Sequence, residues 1–136
     1  MKVFKHYLTD NTIITFGGLS GRLDQTIHIL SQTQKLQSHR SNAIYIISEN
    51  NLAISLRPGK HKLCIPNNKF GLSCGILPIG VNKASVKTDG LEWNLGGQGL
   101  EYTSFDGLIS SSNHLINDKV LIETDQFIYF NVEIKF

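Results

Sequence analysis

The hydrophobic period of this chain changes near residue 48, so two kinds of structure must sit side by side. Ahead of that point, Thr12-Ile13-Ile14-Thr15-Phe16 is a β-branched run that reads as a buried strand. Leu23, Ile27 and Leu30 then recur at helical spacing, which predicts a helix from about Arg22 to Gln37. After the polar loop Ser38-His39-Arg40-Ser41-Asn42, the run Ala43-Ile44-Tyr45-Ile46-Ile47 suits a strand of a parallel sheet. Val3, Phe4, Tyr7 and Leu8 have helical spacing over two turns and read as the tail of a helix. Two parallel strands and one crossover helix cannot make a stable sheet alone. Residues 1–48 are therefore expected to be the C-terminal part of an α/β domain.

From Glu49 onward the period is two. Glu49-Asn50-Asn51 and Arg57-Pro58-Gly59-Lys60 are turns, and Leu52–Leu56, Lys62–Ile65 and Leu72–Ile79 are short strands between them. Short strands punctuated by Gly, Pro and Asn at this pace suggest an antiparallel β-sandwich or jelly roll over 49–136. At the C-terminal end Phe130, Val132, Ile134 and Phe136 face one way, while Tyr129, Asn131, Glu133 and Lys135 face the other. That alternation predicts a half-buried antiparallel strand. The class expected is α+β overall, with the two parts packed tightly across a short boundary.

Between the first strand and the helix lies Gly17-Gly18-Leu19-Ser20-Gly21-Arg22-Leu23-Asp24-Gln25. A strand, a glycine-rich turn and a helix make the place where open α/β sheets bind ligands. Gly18 and Gly21 let backbone and ligand approach closely, and the free N–H groups of a helix start favour an anion. Arg22 adds a positive fork, while Asp24 and Gln25 add an acceptor and an amide. The turn matches neither the dinucleotide fingerprint nor the phosphate loop, and a tight solvated turn explains it equally well.

Composition narrows the classes. With 136 residues, 40% hydrophobic and 18% charged, the chain is globular in character. A net charge of +2 and no basic run argue against nucleic acid. The apolar runs are too short for a membrane span, and the start lacks a signal peptide's apolar core. Cys64 and Cys74 lack metal spacing and read as reduced core thiols of a cytoplasmic protein, or as one bridge. His6, His28, His39, His61 and His114 are scattered without a zinc spacing. Asp24 and His28 stand four apart on one helix face, as a surface pair would. No nucleophile signature supports a hydrolase.

Two stretches of the second part carry chemistry. Thr88-Asp89-Gly90-Leu91-Glu92-Trp93-Asn94-Leu95 holds the sole tryptophan and runs into Gly96-Gly97. An aromatic beside a glycine loop can stack on a flat or cationic ligand, although core packing is the commoner use. Ile109-Ser110-Ser111-Ser112-Asn113-His114 offers hydroxyls and an amide in a row, as a ligand pocket or a solvated turn would.

Taken in order, the glycine turn, Pro58-Gly59-Lys60-His61, Cys74-Gly75-Ile76-Leu77-Pro78-Ile79-Gly80, Gly90–Leu95, Ser110–Asn113 and Val120-Leu121-Ile122-Glu123-Thr124-Asp125 resemble eukaryotic thiamine pyrophosphokinase. The resemblance runs from about Ile13 to Phe136. It implies an α/β nucleotide-binding domain ending at residue 48 and a jelly-roll-like thiamine-binding sandwich from residue 49. It also implies a homodimer, with each active site between the α/β part of one subunit and the sandwich of the other. The implied reaction moves pyrophosphate from ATP to thiamine with magnesium, giving thiamine diphosphate and AMP. Asp24 matches a family aspartate at the reacting hydroxyl or the metal, and Gln25 a glutamine that orients substrate. Trp93 matches the tryptophan that stacks on thiamine, and Ser110 and Asn113 match polar residues of its pocket. Arg22 matches the motif's arginine, and its charge suggests phosphate contact. Leu23 stands where the family commonly has an aromatic, and Ser111 where it has threonine. The family's aspartate-rich segments correspond to sequence ahead of Met1, so this chain is expected to be a C-terminal part of the enzyme. The second reading is a non-catalytic thiamine-binding or dimerising remnant of the family.

Overall fold

The computed structural model describes residues 11–66, 70–97 and 101–135, with 70–72 described in backbone only. The helical turns expected around Val3 to Leu8, and the place of Phe136, lie outside the described residues. Among those described, the fold is mostly β-sheet with one helix. The order is β1 (Ile13–Phe16), α1 (Leu23–Gln37), β2 (Ile44–Ser48), β3 (Asn51–Leu56), β4 (Gly59–Cys64) and β5 (Phe70–Leu77). Then come β6 (Lys83–Asp89), β7 (Tyr102–Ser104), β8 (Ser110–His114), β9 (Lys119–Thr124) and β10 (Ile128–Ile134).

Two sheets form, in the orders β1-β2-β3-β10-β5-β8 and β4-β9-β6-β7. β1 and β2 pair in parallel with Ile13 opposite Ile44, and α1 is the crossover between them. β2 and β3 pair antiparallel across the Glu49-Asn50 turn, from Ser48 opposite Asn51 to Ile44 opposite Ser55. One continuous sheet therefore carries strands from both sides of residue 48.

Strands β3 and β10 lie inside this sheet and are covered on both faces. Leu52, Ile54 and Leu56 of β3 join Ile128, Phe130 and Val132 of β10 in the larger core, with Val86, Val120 and Ile122 of the facing sheet. Ala53 and Tyr129 point the other way and pack with Ile46 against Leu30 of the helix. The Tyr129 hydroxyl donates to the Leu30 carbonyl, so the phenol is buried with its polar end satisfied. Three layers result: helix, six-stranded sheet, four-stranded sheet. The expected half-buried strand at the C-terminal end is thus buried on both faces through Tyr129 and Phe130, and becomes one-sided only toward Glu133.

Three other expectations change. β1 was expected to be buried, yet Ile14 is 52% and Phe16 81% exposed, because β1 has one neighbour among the described strands. Ser110–His114 forms a strand, with Ser110 and Asn113 buried, where a solvated turn was the competing reading. Both cysteines are free, but Cys64 is exposed on β4, and Cys74 alone is a core thiol.

Burial has a consequence for alkaline stability. It pushes the Cys74 thiol from its ordinary 9.0 up to about 11, since a thiolate cannot be solvated there. Burial also raises the Tyr129 phenol, against a smaller lowering from the Thr33 hydroxyl. A folded-state pKa above the unfolded one gives stability that is complete below pH 9 and is lost as pH rises toward 11. Urea unfolding is expected to lose about 2 kcal/mol over that window through Cys74 alone. Cys74→Ala should flatten that part of the profile, and an unchanged slope would contradict the assignment.

Candidate functional site

The glycine turn leaves the C-terminal end of β1 and is pinned to β2. The Gly17 N–H donates to the Ile47 carbonyl at 2.7 Å, and the Leu19 N–H to Ser48 Oγ at 3.3 Å. Gly18 has φ +95°, and a Cβ there would fall 2.5 Å from Ile29 Cδ1, so its lack of a side chain lets the turn lie against the helix. Arg22 is the N-cap of α1, in extended conformation, and makes no side-chain cap bond. Its guanidinium instead grips Asp24, Nε to Oδ1 at 3.1 Å and Nη2 to Oδ2 at 2.5 Å. Asp24 stands in the first helical turn, where the helix dipole also favours a negative charge. Gly21, Arg22, Asp24 and Gln25 are thus exposed at one corner, with Gly18 half-buried beside them. The arginine and the aspartate neutralise each other there.

The tryptophan lies at the tip of another turn. Leu91 and Leu95 are buried and anchor both ends of it, and Leu91 bridges to Leu115. Asn94 Oδ1 accepts from the Leu91 N–H and the Thr88 hydroxyl, and Thr88 Oγ1 accepts from the Leu95 N–H. Between these anchors Trp93 is driven outward and is 52% exposed. Its backbone is clamped by one side chain, Asn113 of β8. Asn113 Oδ1 accepts from the Trp93 N–H at 3.1 Å, and Nδ2 donates to the Trp93 carbonyl at 2.8 Å. The same Nδ2 donates to Ser110 Oγ at 3.1 Å. Trp93, Ser110 and Asn113, which lie in two separate stretches of sequence, therefore meet. They line an open cavity of about 240 Å³ together with Leu95, Leu108, Ile109 and Ser111. Leu95 and Ile109 stand at the ends of the two stretches singled out from sequence, whereas Leu108 was not singled out, because an isolated leucine carries no chemical signal.

A wider depression of about 400 Å³ lies on the outer face of the four-stranded sheet, lined by Lys60, Lys62, Lys87, Asp89 and Glu123. Its one aromatic group, His61, is tied by Nε2 to the Arg57 carbonyl, and its Glu123 stands in register between Lys60 and Lys87. Alternating charges of that kind are an ordinary solvated sheet face, so the smaller cavity is the better candidate.

The glycine turn and the Trp93 cavity lie far apart in the sheet. The glycine turn follows β1 at one edge of the six-stranded sheet, and Ser110 and Asn113 lie on β8 at the other. Five strand spacings separate those edges, roughly 24 Å. Among the described residues no group of three or more His, Cys, Asp or Glu gathers to hold a metal.

Residues 60–129 match the family model described as thiamin pyrophosphokinase, vitamin B1 binding domain. The thiamine pyrophosphokinase of Saccharomyces cerevisiae is 31% identical over 138 residues, covering 93% of this chain and 41% of that protein. Thiamine pyrophosphokinase 1 of Arabidopsis thaliana is 32% identical, covering 90% of this chain and 44% of that one. The chain therefore spans less than half the length of these two curated relatives. Among solved structures, the yeast thiamin pyrophosphokinase superposes with a TM-score of 0.78 at 28% identity, over 98% of this chain and 45% of the other. The enzyme from Candida albicans superposes with a TM-score of 0.81 at 21% identity, over 91% and 45%.

Proposed function

The chain belongs to the thiamin pyrophosphokinase family, and on that premise we propose that it works in ATP-dependent pyrophosphorylation of thiamine. In that reaction the thiamine hydroxyl loses its proton and its oxygen bonds to the β-phosphorus of ATP. The α–β bridge then breaks and AMP leaves. The observation that carries this reading is the convergence of Trp93, Ser110 and Asn113 on one cavity bordered by an exposed indole. A cationic ring stacked on that indole gains cation–π attraction, and the Ser110 hydroxyl offers a polar contact at the cavity wall.

The proposed division of labour follows the change of period. Residues 1–48 are the end of an α/β nucleotide-binding domain, and 49–136 are a jelly-roll-like sandwich that binds thiamine. Gly18 and Gly21 admit the phosphates to the helix start, Arg22 contacts them, and Gln25 orients the substrate. Asp24 serves the reacting hydroxyl or contributes one carboxylate toward magnesium. Magnesium takes one or two protein carboxylates together with substrate phosphates, and supplies charge neutralisation when bound. Among the described residues no group of His, Cys, Asp or Glu gathers with Asp24 to enclose such an ion. The second reading is a thiamine-binding or dimerising chain without turnover.

The wide separation of the two corners supports a homodimer in which the turn of one subunit faces the Trp93 cavity of the other. Ile14, Phe16, Leu23 and Ile27 are exposed apolar groups that a partner surface can cover. We place the protein in the cytoplasm, where two free thiols are stable. No helix among the described residues is long and apolar enough to cross a membrane.

Trp93 is the sole tryptophan, so its emission reports the cavity directly. Thiamine is expected to quench it saturably, and Trp93→Ala is expected to weaken binding about tenfold to thirtyfold by calorimetry. No saturable quenching and no binding heat would overturn the reading. Thiamine diphosphate formed from ATP and magnesium supports the full reaction, while binding without turnover supports the second reading.

A further inference from the structure

We propose that His114 and Glu92 are positioning residues that hold the Trp93 indole where a flat cation can stack on it, an inference that rests on the role given to Trp93 above. A half-exposed tryptophan at the tip of a turn has no core around it to fix its two side-chain torsions. Asn113 fixes the Trp93 backbone, but a backbone clamp leaves the ring free to turn. The indole packs on the His114 imidazole, with centroids 5.4 Å apart and planes tilted by 42°. That separation lies within the range of favourable aromatic pairs.

The imidazole is held in turn. His114 Nδ1 bonds Glu92 Oε2 at 2.8 Å, and the Glu92 N–H donates to the His114 carbonyl at 2.9 Å. Side chain and main chain therefore both tie the 90–96 turn to β8 beside the ring. Trp93 lines the cavity and His114 does not, so the imidazole supports the indole from outside and leaves its cavity side open. The Glu92 carboxylate also sets negative charge beside a ring meant for a cation.

The pair is a poor device for stability. Its side chains are 41% and 48% exposed, and an exposed side-chain pair of this kind contributes little to folding. Its removal is therefore expected to show in the ring and the ligand, not in the melting curve.

The test combines near-UV circular dichroism of the lone tryptophan with thiamine calorimetry on the wild-type chain and three variants. His114→Ala is expected to lose most of the indole band and to weaken thiamine binding about threefold to tenfold, at an unchanged melting temperature. His114→Phe restores an aromatic support and is expected to recover the band and most of the affinity. Glu92→Gln is expected to weaken thiamine binding about twofold to threefold. A His114→Ala chain that binds thiamine as tightly as wild type overturns this inference and leaves the proposed function standing. Failure of His114→Phe to recover either signal overturns it too, because ring support is then not what His114 provides. A wild-type chain that takes up no thiamine overturns the proposed function and this inference with it.

Discussion

Replacing Asn113 by alanine is expected to destabilise the fold by about 3 kcal/mol and to remove most thiamine binding in the same step. Asn113 is buried, and its carboxamide meets four groups: the Trp93 N–H and carbonyl, the Ser110 hydroxyl, and the His114 N–H. Alanine leaves the Trp93 backbone without those partners, and polar groups taken from water without a partner cost about 1–3 kcal/mol each. It also removes the side-chain clamp on the Trp93 backbone, leaving the 90–96 turn tied to β8 through Glu92 and His114, so the indole is held less firmly at the cavity. Ser110→Ala removes one bond and is expected to cost about 1 kcal/mol. Denaturant unfolding and calorimetry measure the two effects separately. An Asn113→Ala chain that binds thiamine normally would show that Trp93 is held by something else.

Asn113 also marks what the sequence conceals. A run of three serines and an asparagine has the composition of a turn, because those side chains compete with the ladder for backbone hydrogen bonds. In the structure the run is an edge strand, and its polar atoms are used across the cavity toward Trp93, twenty positions away. Nothing local in the sequence announces that partner. The link came from the order of motifs shared with the family, not from periodicity.

Periodicity succeeded where one face of an element is wet. The helix expected from about Arg22 to Gln37 runs from Leu23 to Gln37, with Arg22 as its cap. Where both faces are dry it found the strand, expected over Leu52–Leu56 and observed over Asn51–Leu56, but not what covers each face. β3 reads Asn-Leu-Ala-Ile-Ser-Leu because large residues fill the sandwich and small ones meet the helix, so its alternation is one of size and not of polarity. β6 reads Lys-Ala-Ser-Val-Lys-Thr-Asp and alternates strictly in burial, but its inward residues are small or hydroxylated, and no large apolar residue marks the buried face. Tyr129 was assigned to the wet face by period alone, but the helix covers that face, and no two-residue pattern reports a helix ninety-nine positions away.

Gly90→Ala is expected to cost at least about 3 kcal/mol and to reduce thiamine binding with it. Two separate penalties combine at this position. Gly90 has φ +103°, a conformation that L side chains rarely adopt. A Cβ there would also fall 2.4 Å from the Lys119 carbonyl oxygen, which is backbone of a core strand and cannot swing aside. Relief requires the 90–96 turn to move away from β9, against the bond from the Ile116 N–H to the Gly90 carbonyl at 3.1 Å. That movement carries Trp93 off the cavity, so stability and ligand affinity fall through one displacement. Gly97→Ala is the control in the same loop. A Cβ at Gly97 meets nothing within 4 Å, and the change is expected to stay within about 0.5 kcal/mol. Thermal unfolding of both variants and thiamine titration of each decide the matter. Equal behaviour of the two would mean that close approach to β9 does not set the place of the tryptophan. A Gly90→Ala chain that is destabilised but binds thiamine normally would separate the turn's packing from the ligand site.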